Sequence, residues 1–149
     1  MFNWFKLIYR PKQMSQKIYE TAMSCIGKDL TTIAPNEYGC AETFTRILIM
    51  AGCDIKVLTS TIDVNNVLAN SPVWRRVSTG FKGDAIISPT QGDNVGHVGI
   101  IGDGDLIISN NSYTGQVDEH LNMKSWYDFY GKRKGLPIFI YRRDGTVDN

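Results

Sequence analysis

The sequence predicts an α+β protein in which N-terminal helices pack on a small antiparallel β-sheet. Three observations carry this. Apolar residues recur at three- and four-residue steps in the first part of the chain, the period changes to two after it, and helical segments precede strands instead of alternating with them. Length and composition permit such a fold: of 149 residues, 42% are apolar and 21% charged, the bulk properties of an ordinary globular domain. A chain of this size buries roughly 70% of its unfolded surface, so a core forms without a metal or a disulfide. One domain is expected, over residues 18–145. A basic extension, residues 1–17, precedes it, in which Lys6, Arg10, Lys12 and Lys17 stand without an acid and Pro11 blocks a continuous helix.

The elements follow in order. From Ser15, a candidate cap, Ile18, Tyr19, Ala22, Met23 and Ile26 form one helical face that Gly27 ends. Lys28 to Gly39, with Pro35 and Asn36, reads as loop. A second helix begins at Cys40 and runs to Met50 or Ala51, since Phe44, Ile47, Leu48 and Ala51 share a face and Gly52 follows. A shorter helix spans Asp63 to Ala69. Five strands then read from Val73–Val77, Asp84–Ser88, His97–Ile101, Leu106–Asn110 and Ile138–Tyr141, each short and most bounded by Gly, Asp or Pro. Gly102-Asp103-Gly104-Asp105 is a tight-turn signal that joins the third and fourth as a hairpin.

Several function classes are excluded at this level. Lys and Arg number 16 against 15 Asp and Glu, so the charge excess of a nucleic-acid binder is missing. No run approaches the ~20 apolar residues of a membrane span, and stable membrane insertion is not expected. The first ten residues are apolar and basic but are interrupted by Asn3 and Lys6 and lack a small-residue cleavage site, so no secretory signal is read. The three cysteines, Cys25, Cys40 and Cys53, are an odd number without a Cys-x-x-Cys pair, and His97 and His120 lie far downstream. Neither a disulfide framework nor a zinc site follows, and no cofactor is expected.

Chemistry concentrates at Cys40. It stands at a helix start between Gly39 and the small Ala41, where free N–H groups and the helix dipole stabilise a thiolate and the oxyanion it forms on attacking a carbonyl. That setting predicts a thiol pKa of about 3.5 to 7.5, below the ordinary ~8.5. Cys25 and Cys53 have no helix start beneath them and read as packing residues. A cysteine nucleophile needs an imidazole to take its proton and return it to the leaving amine. His97 opens a β-like run with Gly96 and Gly99 nearby, whereas His120, in Gln116-Val-Asp-Glu-His, reads as a solvated loop residue. A third polar residue should orient the imidazole from the neighbouring strand. Alternation puts Ser109 and Asn111 on one face and Asn110 on the other unless a bulge re-aims it; the order of expectation is Asn111, Asn110, Ser109.

Taken together, Gly39-Cys40-Ala-Glu, Gly83-Asp84-Ala-Ile-Ile and Gly96-His97-Val-Gly-Ile followed by a Gly/Asp turn resemble the papain-like cell-wall hydrolases of the NlpC-type and CHAP families. The small single-domain phage endolysins among them share the flavour of Ser88-Pro-Thr and of Ser109-Asn-Asn-Ser-x-Thr-Gly115. The resemblance runs from about Tyr19 to Tyr141. It implies a papain-like fold, Cys40 as nucleophile and His97 as general base, with Tyr38, Ala41 and Ser109 as oxyanion or substrate positions. It further implies a monomer that acts on peptidoglycan, waiting in the host cytoplasm until lysis, with Lys132-Arg-Lys134 and Arg142-Arg143 as basic patches available for wall affinity. The chain departs from the family pattern in having Ser109 where NlpC-type proteins often carry a histidine and CHAP proteins a Glu. A catalytically inactive binding or structural module of a phage particle is the alternative.

Overall fold

In the computed structural model, which describes residues 12–35 and 38–147, three longer helices pack on one face of a six-stranded sheet and a short one on the other. The helices are α1 (Met14–Ser24), α2 (Cys40–Met50), α3 (Thr61–Asn70) and α4 (Met123–Trp126), the last continuing as a wide π-helical turn over Tyr127–Arg133. A two-residue pair, β1 (Lys12–Gln13) with β8 (Thr146–Val147), stands apart from the main sheet. That sheet consists of β2 (Trp74–Val77), β3 (Ala85–Ser88), β4 (His97–Ile101), β5 (Leu106–Asn110), β6 (Val117–Asn122) and β7 (Phe139–Arg143). Its order is β2-β7-β3-β4-β5-β6, antiparallel throughout. The α+β class with helices on an antiparallel sheet is therefore the observed one.

Both faces of the sheet are buried, which explains why β3 and β4 read as continuous apolar runs. On the helix side, Ile18 and Ala22 of α1, Phe44, Ile47 and Leu48 of α2, and Val64 and Leu68 of α3 pack on Ala85, Ile87, Val98, Ile100 and Ile108. On the other side Ile86, Ile101 and Ile107 meet Trp126, Tyr130, Leu136 and Ile140. Each cluster removes several large side chains from water at roughly 1.5–3 kcal/mol apiece, which makes the sheet a rigid platform for whatever projects from its ends.

Four details differ from the expectation. The first helix begins at Met14, not near Ser15–Ile18, and Met14 is itself core, so the boundary at residue 17 cuts through a packed element; the first eleven residues of the expected extension lie outside those described. Helix α3 starts at Thr61 because Ser60 accepts hydrogen bonds from the N–H groups of Ile62 and Asp63. Strand β6 was not expected, since Val-Asp-Glu-His-Leu-Asn is too polar to read as a strand; it survives as an edge strand paired on one side only. The α4 segment was not expected either, and it supplies the second core: Asn122 and Ser125 cap it reciprocally, and Trp126 and Tyr130 face the sheet one turn apart.

Candidate active site

Cys40 occupies the first position of α2, as the sequence predicts. Gly39 precedes it and offers no side chain to cap the helix, so the first-turn N–H groups remain directed at the cysteine sulfur. The loop leading in is fastened by Glu42, two residues further on and wholly buried. Its carboxylate accepts from the N–H groups of Thr32, Ile33 and Ala34 at 2.9–3.2 Å and from Arg46 at 2.8 Å. Burial alone would raise this carboxyl's pKa; the donors Ala34, Thr32, Arg46 and Ile33 outweigh it and hold the group down at about 2. Glu42 is thus an internal anion that ties an irregular loop to the helix that begins at Cys40.

His97 is placed by different means. It opens β4, opposite Ser88 of β3. Gly96 before it is required by close approach, because a Cβ there would stand 1.8 Å from the carbonyl oxygen of Ser88. The connecting loop is pinned where Thr90 accepts from the Gly96 N–H at 2.9 Å and donates its own N–H to Thr61 at 3.0 Å. The imidazole, 8% exposed, lies parallel to the Tyr130 ring at 5.7 Å and tilted against Trp126 at 5.3 Å. Trp126 is held in turn by donating its indole N–H to Ser88 at 3.0 Å.

The third polar position is settled by this geometry. Nε2 of His97 lies 3.0 Å from Oγ of Ser109, while Asn111 donates to Asp118 at 2.8 Å and accepts from the Tyr113 N–H at 2.9 Å. Ser109, the last in the expected order, is the residue that meets the imidazole, and the reason is where the strand ends. Ser109 projects from β5 on the same face as His97, whereas the strand ends at Asn110 and Asn111 already belongs to the following turn. Asn110 points to the helix side and borders the cavity next to Cys40.

Cys40 and His97 line one open cavity of about 470 Å³. Thr59, Ser60, Thr61 and Thr90 give it a hydroxyl-rich wall, with Tyr130, Phe129 and Lys134 opposite. Tyr38, 58% exposed, also lines it. Ala41 buries its methyl group in the core and presents only its N–H to the sulfur. Cys25 and Cys53 are buried, as packing residues should be. Among the described residues, no cluster of His, Cys, Asp and Glu is arranged to hold a metal, and no helix is long and apolar enough to cross a membrane.

No family model matches the sequence, and no curated protein is detectably similar to it. The fold has a solved relative. It is similar to a chain in the type VI native effector–immunity complex Tae3–Tai3 from Ralstonia pickettii, with a TM-score of 0.57 at 21% identity over 87% of this chain and 98% of that one. At that identity the likeness concerns the fold.

The protonation state of the pair departs from the expectation of an acidic thiol. Burial disfavours the thiolate and pushes Cys40 up to about 11, against the opposing pull of the Val98, Ala41 and Cys40 N–H groups. Burial, with the charges of His120 and Lys134, likewise pushes His97 down to about 3. Both shifts favour a neutral thiol beside a neutral imidazole. The helix terminus and imidazole stand where the sequence placed them, but burial of the two groups outweighs them.

Sequence reasoning missed four contributors: Glu42, Trp126, Tyr130 and His120. Of these, His120 is the largest correction, since it sits on β6 and lines the same cavity instead of a solvated loop. The basic patches also change meaning, because Lys134 donates to the Val95 carbonyl at 2.6 Å and Arg142 is bound to the buried Asp84.

Proposed function

We propose that this chain is a cysteine hydrolase that cleaves an amide bond of bacterial peptidoglycan. The observation that carries the proposal is the cysteine at an uncapped helix N-terminus sharing an open cavity with an imidazole whose far nitrogen is already engaged. In this reading Ser109, 3.0 Å from Nε2, accepts from Nε2–H, which leaves the lone pair on Nδ1 for the thiol. As sulfur bonds to the amide carbon, Nδ1 takes the thiol proton, and the N–H groups of Cys40 and Ala41 hold the oxyanion. The imidazolium then protonates the leaving amine, and water hydrolyses the thioester. Because the resting pair is neutral, proton transfer accompanies attack instead of preceding it.

The substrate class rests on the motif resemblance to papain-like cell-wall hydrolases, and a fold shared with a chain of an effector–immunity complex is compatible with it. In a phage setting the protein would wait in the host cytoplasm and reach the wall once the membrane is opened. A second setting is favoured by that structural likeness: the same chemistry deployed by one bacterium against another, with a protein partner holding it in check. Mass spectrometry of purified peptidoglycan digested by the wild-type protein and by Cys40→Ala tests the activity. New amine and carboxyl ends are expected with the wild type alone. Intact peptidoglycan after wild-type treatment would leave the fold as a catalytically silent binding module.

A further inference from the structure

The cavity holds a second imidazole with its own orienting chain. Asn111 Nδ2 donates to Asp118 Oδ2 at 2.8 Å, and the other Asp118 oxygen is bonded to His120 Nδ1 and, at 3.1 Å, to the His120 N–H. Burial pushes the Asp118 pKa up, but the bonds from Asn111 and His120 outweigh it and keep the group a carboxylate. The carboxylate takes Nδ1–H, so the neutral ring carries its lone pair on Nε2. The ring lines the cavity with Cys40 and His97 while its side chain remains 33% exposed.

The two histidines therefore differ in what can reach them. His97 has one nitrogen on Ser109 and is walled by Trp126 and Tyr130, which leaves a single nitrogen to serve first the thiol and then the leaving amine. Among the described residues, no carboxylate is hydrogen-bonded to it to support an imidazolium. His120 has a carboxylate behind it and an open nitrogen in front, the arrangement needed to draw a proton from water and hold it.

Resting on the peptidoglycan-hydrolase reading, we propose that His120, positioned by Asp118, is a second catalytic base that delivers the hydrolytic water to the Cys40 thioester. The water oxygen forms a bond to the thioester carbon while Nε2 accepts its proton. Collapse of the tetrahedral intermediate breaks the C–S bond, the sulfur leaves with the bonding pair, and the proton on His120 restores the thiol. Water is the only reactant consumed.

The experiment is a rapid-mixing reaction of the full chain with soluble muropeptides, followed by intact-protein mass spectrometry and by counting released amines. Wild-type protein turns over with little covalent adduct. His120→Gln gives a first burst of amine stoichiometric with enzyme, then a steady rate at least ~100-fold lower, with the acyl fragment retained on Cys40. Asp118→Asn shows the same adduct with a smaller loss, because the ring remains but is no longer oriented. Equal alkylation of Cys40 by iodoacetamide in wild type and both variants confirms that the nucleophile is undisturbed, so adduct accumulation separates the proposed role from a merely structural one. Wild-type turnover with an unaffected His120→Gln, or loss of the burst together with the steady rate, overturns the assignment of His120. A wild-type protein that releases no amine overturns the peptidoglycan reading itself, and this proposal with it.

Discussion

Cys40 and His97 are held by opposite means. On the Cys40 side the scaffold is charge: a wholly buried glutamate gathers three backbone N–H groups and an arginine and so fixes the loop above the helix start. On the His97 side it is apolar contact, with two aromatic rings and one neutral hydroxyl holding the imidazole. The first arrangement fixes position through an anion that must stay ionised. The second fixes orientation and, by excluding water, strips the ring of its ordinary basicity. Burial on both sides favours a neutral thiol and a neutral imidazole.

The largest expected effects fall on the reacting atoms. Cys40→Ala should abolish hydrolysis while the melting temperature moves by only a few degrees, which a turbidity assay on permeabilised cells and a thermal melt would check together. His97→Ala should lower the rate by at least ~100-fold. A variant that kept wild-type rate would break the comparison, because the aromatic cage would then be holding a bystander.

The Glu42 scaffold is tested by stability. Glu42→Ala leaves Arg46 and three backbone donors without their acceptor, and removing one partner of such a buried pair costs about 3–5 kcal/mol. Calorimetry should show a melting temperature lower by on the order of 10 °C.

Acid should separate the two scaffolds by window. His97, lowered from 6.5 to about 3, is buried neutral, so its contribution is complete above pH 6.5 and is lost as pH falls toward 3. Glu42, lowered from 4.5 to about 2, contributes fully above pH 4.5 and loses that contribution toward 2. Stability should therefore decline between pH 6.5 and 4.5 by about 1 kcal/mol per unit and more steeply below. His97→Gln should flatten the upper part and leave only the Glu42 slope below it; denaturant titrations at several pH values would show it. The smallest effect sharpens the orienting role: Ser109→Ala should reduce turnover severalfold, and more than Asn110→Ala does, at unchanged Cys40 alkylation.

How much of this was legible depends on whether a residue acts through its own segment or across the sheet. Strands β4 and β5 coincide with the expected runs because their Val- and Ile-rich residues lie in the sheet interior, and the start of α2 at Cys40 follows from local helix chemistry. The Cys40–His97 pairing was legible as residue types at the right elements. Ser109 was assigned the correct face by alternation but was discounted for its chemistry, although on an inward-facing strand position reach decides. Glu42 could not be read as buried, since its partners lie eight to ten residues upstream in a loop without periodicity. His120 lies on a polar edge strand that does not read as one, and the same strand hides the Trp126–Tyr130 wall that follows it. The one local signal was Asn122 three residues before Ser125, which marks a helix start.

The clasp between β1 and β8 has a consequence of another kind. Lys12 and Val147 are direct partners across that ladder, and the Met14 N–H reaches the Gly145 carbonyl at 3.1 Å, so the two ends of the described chain leave the domain side by side. Connectivity and architecture are in this sense separable: a short linker from Val147 back to Lys12 would close the backbone into a ring without stretching it. Opening that ring at the exposed Asp103–Asp105 turn would then detach β4 from β5 along the chain while leaving both in the sheet. Such a circular permutant would show whether the His97–Ser109 bond depends on the hairpin that joins its strands or on the packed faces that enclose them.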